Sequence, residues 1–291
     1  MSASWAADAS DECRVLAIIV AYNSPQALER CLRSLDAQTR RVDGVLVVDN
    51  SEPIPADITG IDANIIERTR ILVAGSNMGP AGGFALGLAT FMEEGDFSHA
   101  WLMDDDCYPE PTALQIILDA AAGVRPGSVV FPSAVYEATG VAMNYPGWSG
   151  VLIDRLAVRL AGLPRAEMFW WAEDTEYLQF RLPHKGVIVV RAPEARVLYD
   201  LIRRVGGRPA WKYYYEVRNM VWFRLAVQRG SEAWKLPKTV FGLLGSAIVS
   251  EGRGEKLSMY GKGLAHGLMG RLGNPVKPPA PKPPISEAND G

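Results

Sequence analysis

Between residues 14 and 131, short β-branched runs alternate with stretches of helical period, and this alternation restricts the chain more than any single residue does. Residues 14–20, 44–48, 70–73, 100–103 and 128–131 read as strands. Residues 25–38, 82–92 and 112–122 read as helices. The first of these puts Leu28, Leu32 and Leu35 on one face, with Ser24 as N-cap and Pro25 as first helical residue. A βα alternation of this kind implies a mostly parallel α/β sheet with helices on both faces. With 291 residues and 48% hydrophobic content, the chain can bury one large core or a domain with an appendage.

Several classes drop out at once. The first strand-to-helix turn, Ala21-Tyr22-Asn23-Ser24-Pro25, lacks the glycines that let a backbone approach a dinucleotide pyrophosphate, and no P-loop is present. Three cysteines without a CxxC pair form neither a disulfide framework nor a zinc site, which fits a reducing compartment such as the cytoplasm. No run reaches the ~18 apolar residues of a spanning helix. A net charge of −3 argues against a nucleic-acid partner.

Charge and composition divide the chain further. Residues 1–12 read as a disordered lead, 13–228 as the main domain, 229–274 as a basic, partly helical extension and 275–291 as a Pro-rich disordered tail. Across 229–277 eight Lys or Arg face three Glu, a local +5. Leu257, Tyr260, Leu264 and Leu268 form a helical stripe beside those cations, suited either to packing on the main domain or to contact with an anionic bilayer, although Gly261, Gly263, Gly267 and Gly270 weaken any helix there. A location at the inner face of the cell membrane would follow from such contact.

Polar residues collect where the strands end. Asp104-Asp105-Asp106 follows the apolar run Ala100-Trp101-Leu102-Met103 and reads either as a solvated acidic turn or as an oxygen-rich site for a hard divalent cation. Asn77-Met78-Gly79-Pro80-Ala81-Gly82-Gly83 stands at a helix start, where backbone N–H groups can face a phosphate.

Five motifs in order resemble family 2 glycosyltransferases of the GT-A fold, over roughly residues 14–225. They are Val20-Ala21-Tyr22-Asn23, Val47-Val48-Asp49-Asn50-Ser51, the Asn77 to Gly83 cluster, Asp104-Asp105-Asp106, and Trp171-Ala172-Glu173-Asp174-Thr175-Glu176-Tyr177. Gly82-Gly83-Phe84 looks most like actinobacterial galactofuranosyltransferases, with related rhamnosyltransferases next. The resemblance implies an inverting transfer of a sugar from a UDP or dTDP donor to a glycan or glycolipid. It implies that Ala21, Tyr22 and Asp49 hold the nucleoside, that Asp104 and Asp106 bind Mg²⁺ or Mn²⁺, and that Asp105 faces sugar or ribose. Asp49 reads equally as an Asx turn. Asn77, Gly79, Gly82 and Gly83 would line the donor site.

By the same resemblance Asp174 is the base that takes the acceptor proton, with Glu173 raising its pKa or binding acceptor hydroxyls. Trp148 and Trp171 are candidates to stack on acceptor sugars, core packing being the commoner fate of such residues. Arg218, in Tyr213-Tyr214-Tyr215-Glu216-x-Arg218-Asn219, would pair either with phosphate or with a structural carboxylate. One departure stands out. Where many relatives carry a metal-binding His, this chain reads Arg196-Val197-Leu198-Tyr199-Asp200, so either Asp200 replaces it or Tyr199 fills the place. That gap motivates a non-catalytic nucleotide-sugar-binding alternative. A haloacid-dehalogenase-like phosphotransferase fits less well, because its motif belongs on the first strand.

Overall fold

The computed structural model describes residues 13–51, 63–145, 147–200, 208–228 and 233–279. The expected lead over 1–12, residues 229–232 at the head of the extension and the tail from 280 onward lie outside them. The strands are β1 (Val15–Ala21), β2 (Gly44–Asp49), β3 (Thr69–Val73), β4 (His99–Asp104), β5 (Cys107–Pro109), β6 (Ser128–Tyr136), β7 (Val151–Asp154) and β8 (Ile188–Tyr199). They form one sheet in the order β3-β2-β1-β4-β7-β6-β8-β5. The half containing β1 to β4 is parallel, and β7 enters antiparallel between β4 and β6.

All seven residues of β1 are buried, as a central strand covered on both faces requires. Val15, Ala17 and Ile19 pack with Leu28, Leu32 and Leu35 of α1 (Pro25–Asp36) and with Leu114 and Ile117 of α4 (Ala113–Ala122). Leu16, Ile18 and Val20 point the other way, onto Phe84, Leu88 and Phe91 of α3 (Gly79–Glu93) and Ala157 and Val158 of α5 (Arg155–Ala161). The short helices α2 (Ala63–Ile66) and α6 (Leu182–His184) complete this unit.

The glycines of α3 set how closely it approaches the sheet. A Cβ at Gly83 would lie 2.5 Å from Val20 Cγ1, and one at Gly87 would lie 2.5 Å from Ile18 Cγ2. The helix starts at Gly79, ahead of the expected residue 82, because Asn50 holds its first turn: the Asn50 side-chain amide donates to Gly79 O at 3.0 Å. Ser24 occupies the N-cap position of α1 but its side chain makes no capping bond, so Pro25 carries that start alone.

A second layer is built on α7 (Ala210–Trp222), which α8 (Leu236–Val249) and α9 (Arg253–Leu268) cover. Tyr213, Val217 and Val221 meet Leu243, Ala247 and Tyr260, with Leu257 and Leu264 packed beside them. The stripe read from residues 257–268 thus turns inward, leaving Leu268 exposed. The glycines that weakened the helix expectation explain the packing. A Cβ at Gly263 would meet Tyr214 O at 2.4 Å and one at Gly267 would meet Arg218 O at 2.7 Å, so α9 lies directly on the α7 backbone. After α9 the chain packs back on α7. Val276 is buried, and Tyr215 Oη donates to its carbonyl at 2.7 Å.

Gly263→Ala is therefore expected to lower stability by about 2 kcal/mol, overpacking outweighing the gain in helix propensity. Gly261→Ala, on the open side of the same helix, is expected to stabilise by about 0.5–1 kcal/mol. Urea melts of the two variants against the parent chain check this; equal shifts in the same direction would contradict close α7–α9 contact.

Candidate active site

The C-terminal ends of β1, β2 and β4 open into a cleft of about 490 Å³, lined by Tyr22, Asn23, Asn50, Asn77, Gly79 and all three aspartates of the acid run, and on the far side by Trp170, Trp211 and Lys212. Parallel strands end there together, so their loops converge. Asp104 closes β4, and the next two residues form the turn into β5, which keeps the three carboxylates adjacent.

Burial first, then the charges of Asp106, Asp105, Glu173 and Asp174, drive the Asp104 pKa well up. Burial and Asp106 push Asp105 up to about 7, against the Tyr22 N–H that donates to its Oδ2 at 3.1 Å. Asp106 rises to about 6, again mainly through burial, while the facing Tyr199 hydroxyl holds the rise back. Carboxylates packed this way resist ionising together. They are all-oxygen donors, and a hard cation would relieve their repulsion, so the residues fit Mg²⁺ or Mn²⁺. Among the described residues, however, no three His, Cys, Asp or Glu side chains gather into a ready-made metal cage. Asp200, expected as a third ligand, donates its backbone N–H to Asp106 O at 3.2 Å, and its charge raises the Asp106 pKa while the Tyr199 hydroxyl, at the end of β8, lowers it.

The other residues expected at the donor divide between the cleft wall, where Asn77 and Gly79 stand, and the interior. Ala21 and Asp49 are buried behind the cleft wall rather than on it, and Asp49 Oδ1 accepts the Ser51 N–H at 2.9 Å in an Asx turn. Asn77 also makes an Asx turn, accepting from Gly79 N at 2.8 Å. The start of α3 has no amide left for a phosphate: Gly79 N–H is taken by Asn77, Pro80 has none, Ala81 N–H goes to Phe169 O and Gly82 N–H to Met78 O. Gly82 and Gly83 are packing residues, the first against Met78 and the second against Val20. Gly79 has φ +65°, and a Cβ there would strike Phe169 O at 2.1 Å.

Trp148 lies in the core. It is buried, stacked at 4.3 Å on Phe84 and at 6.0 Å on Tyr177. Arg218 pairs with no carboxylate among the described residues. Its buried guanidinium donates to the carbonyls of Gly273, Glu167 and Met168 and to Asn219 Oδ1. Asn219 Nδ2 lies 2.8–2.9 Å from the carbonyls of Met168, Trp170 and Trp171. This clamp holds a strained loop: Phe169, Trp171 and Ala172 have φ of 65°, 76° and 64°, left-handed values that cost non-glycine residues roughly 1–3 kcal/mol each.

The clamped loop delivers Glu173 and Asp174. Asp174 Oδ1 accepts from Thr175 N at 2.6 Å and Thr175 Oγ1 at 3.2 Å, at the head of a π-helical turn, Thr175–Arg181. Burial raises its pKa and the Thr175 bonds oppose the rise. Glycine is required at Gly147, with φ +57°, because a Cβ there would sit 2.9 Å from Asp174 Oδ2. Tyr145 Oη donates to Asp174 O at 3.3 Å. Burial and the adjoining Asp174 charge push Glu173 up to about 8, and its Oε2 has no hydrogen-bond partner. The Trp148 N–H nearby lowers that value without completing a bond.

Trp171 is 42% exposed at the rim, its ring 5.1 Å from Trp170 and beneath the Arg208 guanidinium. Lys212 Nζ stands 4.6 Å over Trp170. Tyr145, Trp211 and Lys212 escaped sequence reading, since none stands in a motif whose spacing marks it. Beyond α9, Pro278 and Pro279 also line the cleft, anchored by Asn274 Nδ2 donating to Asn77 O at 3.2 Å.

Residues 16–183 match the family model described as Glycosyl transferase family 2. Galactofuranosyltransferase GlfT1 of Mycobacterium tuberculosis, from strains CDC 1551 / Oshkosh and ATCC 25618 / H37Rv, is 34% identical over 108 residues, covering 37% of this chain and 35% of that protein. The match thus spans about a third of the length of these curated relatives. The crystal structure of GalNAc-T7 with UDP, GalNAc and Mn²⁺ superposes with a TM-score of 0.52 at 13% identity, over 87% of this chain and 55% of that one. The shared architecture is the GT-A fold.

A buried acid with a raised pKa stabilises the fold while protonated and opposes it once charged. The contribution of Glu173 is therefore complete below its unfolded value near 4.5 and is lost as pH rises through about 8. Glu173→Gln is expected to melt a few degrees above the parent chain at pH 8, with the gap closing toward pH 4.5. Melting curves across that range check the assignment; a gap independent of pH would contradict it.

Proposed function

The chain belongs to glycosyl transferase family 2, and from that membership we propose that it is an inverting transferase that moves a sugar from a nucleoside diphosphate to a hydroxyl of a glycan or lipid-linked glycan. Galactofuranose is the favoured sugar, by the likeness to GlfT1, and rhamnose is next; UDP or dTDP would be the carrier. The observation that carries this reading is the nearness of two acid groups: Glu173 and Asp174 lie close enough to Asp104 for their charges to raise its pKa, and Asp104 lines the cleft.

The roles follow from chemistry. Asp174 is the base, its carboxylate oriented by Thr175 and made more basic by burial. It takes the proton of the acceptor hydroxyl as that oxygen attacks the anomeric carbon from the side opposite the leaving nucleoside diphosphate. Asp104 and Asp106 would hold Mg²⁺ or Mn²⁺, whose chemistry when bound is to neutralise the growing negative charge of the diphosphate. Tyr22 and Asn23 lie where the nucleoside would sit, and Asp105 stays close to them through the Tyr22 N–H. Asn23 adopts φ 51° and buries an Nδ2 with no protein partner, an unused donor on that wall. Trp171 offers its exposed face to an acceptor sugar, and Glu173, with a free Oε2, can accept from an acceptor hydroxyl.

Thermal-shift titration with UDP and with dTDP, each with and without Mn²⁺, tests the donor assignment. Stabilisation by one nucleotide that grows with Mn²⁺ is expected, and Asp106→Asn should remove the Mn²⁺-dependent part. No response to either nucleotide would overturn the reading. Asp174→Asn should keep nucleotide binding and lose transfer by about 10³-fold or more. Intact transfer would exclude it as base, and nucleotide binding without transfer by the parent chain under any acceptor would favour the non-catalytic alternative.

A further inference from the structure

Helix α8 is apolar almost all round. Its 14 residues carry one charge, Lys238, and no acid. Leu243 and Ala247 face α7 and α9, and the contact is closed by Tyr213 Oη with Ser246 Oγ at 3.0 Å and by Tyr260 Oη donating to Val240 O at 3.0 Å. The opposite face is uncovered. Phe241 is 68% exposed, Ile248 49% and Val249 86%, and Trp234 in the turn just before the helix is 73% exposed. The spacing of 234, 241 and 248 returns each to one side. A helix apolar on all sides normally lies inside a protein, so this outer face lacks a covering layer.

The charges around the face indicate what covers it. Lys235 and Lys238 border it, and no acidic residue falls between positions 233 and 250. Glu251 follows only at the far end, and a cationic border on large apolar side chains complements anionic headgroups above acyl chains, with a tryptophan at the end of such a helix suiting the polar boundary. At about 1.5 Å per residue the helix is too short to span a hydrocarbon core of about 30 Å, so it would lie in the plane of the interface. Among the described residues no helix is long and apolar enough to cross a membrane.

We propose that the outer face of α8, through Trp234, Lys238, Phe241 and Ile248, docks on the anionic surface of a lipid bilayer. The sequence placed any bilayer contact on α9, whose stripe is spent on α7; the exposed equivalent is on α8. The consequence for substrate rests on the transferase reading above. The first turn of α7 carries Trp211 and Lys212 into the cleft wall, and α8 lies against α7, so docking holds the cleft beside the membrane and selects an acceptor sugar carried on a lipid anchor.

Co-sedimentation of the full chain with vesicles of phosphatidylcholine, with and without about 30% phosphatidylglycerol, tests the surface itself. Binding to the anionic vesicles alone, released by about 0.5 M salt, is expected. Phe241→Ser should weaken it at least about tenfold and Lys238→Gln about fivefold, and neither should shift the melting temperature by more than a few degrees, since both side chains are exposed. Brominated lipid should quench fluorescence of the parent chain more than that of Trp234→Phe. Absence of binding at low salt, equal binding to phosphatidylcholine alone, or unchanged binding by Phe241→Ser would overturn the proposal. A stable dimer in solution that Phe241→Ser dissociates would overturn it too, by assigning the face to a second copy. The nucleotide-induced thermal shift does not depend on this face, so its loss or survival separates failure of the transferase reading from failure of the docking surface.

Discussion

Arg218 and Asn219 sit side by side in the middle of α7 and spend nearly all their donors on backbone carbonyls of residues 167–171 and 273. A loop with three non-glycine residues in the left-handed region opens unless something outside it supplies the energy to keep it closed. Buried hydrogen bonds from a charged donor are among the strongest available, and leaving those carbonyls unpaired inside the protein would cost as much again. The clamp therefore sets where Glu173 and Asp174 emerge. Through Gly273 it also fixes the strap that carries Pro278 and Pro279 to the cleft. Close glycine contact of α9 on α7 supports the clamp from behind, so a helical layer remote from the chemistry determines its geometry.

Opposing this rigidity is a concentration of like charge. Asp104, Asp105, Asp106, Glu173 and Asp174 all have raised pKa values, with burial as the leading cause in each. Such a set is unfavourable in the empty protein and becomes favourable when cationic or hydrogen-bond-donating groups arrive. Stability is thus traded for binding at the same place. The Tyr199 hydroxyl beside Asp106 is a counterweight this chain itself supplies.

The strands around Asp49 and Asp104 were legible because buried β-branched runs have few other fates, and the acid run was legible because three consecutive carboxylates at the end of an apolar strand are hard to place otherwise. Trp148, Gly82, Gly83 and Arg218 share one ambiguity in sequence. Each residue type serves either binding or packing, and only burial tells which. Trp148 is stacked in the core, the glycines admit Met78 and Val20, and Arg218 is wholly enclosed. The helix-start amides at Gly79 to Gly82 failed similarly, since their acceptors come from Asn77, Met78 and, far along the chain, Phe169.

By itself the sequence determined the βα order, the central hydrophobic strands, the acid run at a strand end and the family resemblance, since periodicity and local composition are properties of neighbouring residues. Tertiary structure alone decided that the Tyr199 hydroxyl and the Asp200 backbone both meet Asp106, that the glycines of α9 admit a helix instead of breaking one, and that the uncovered apolar face belongs to α8. Those outcomes depend on which surfaces meet across long stretches of chain, and a side chain's environment is fixed only when they do.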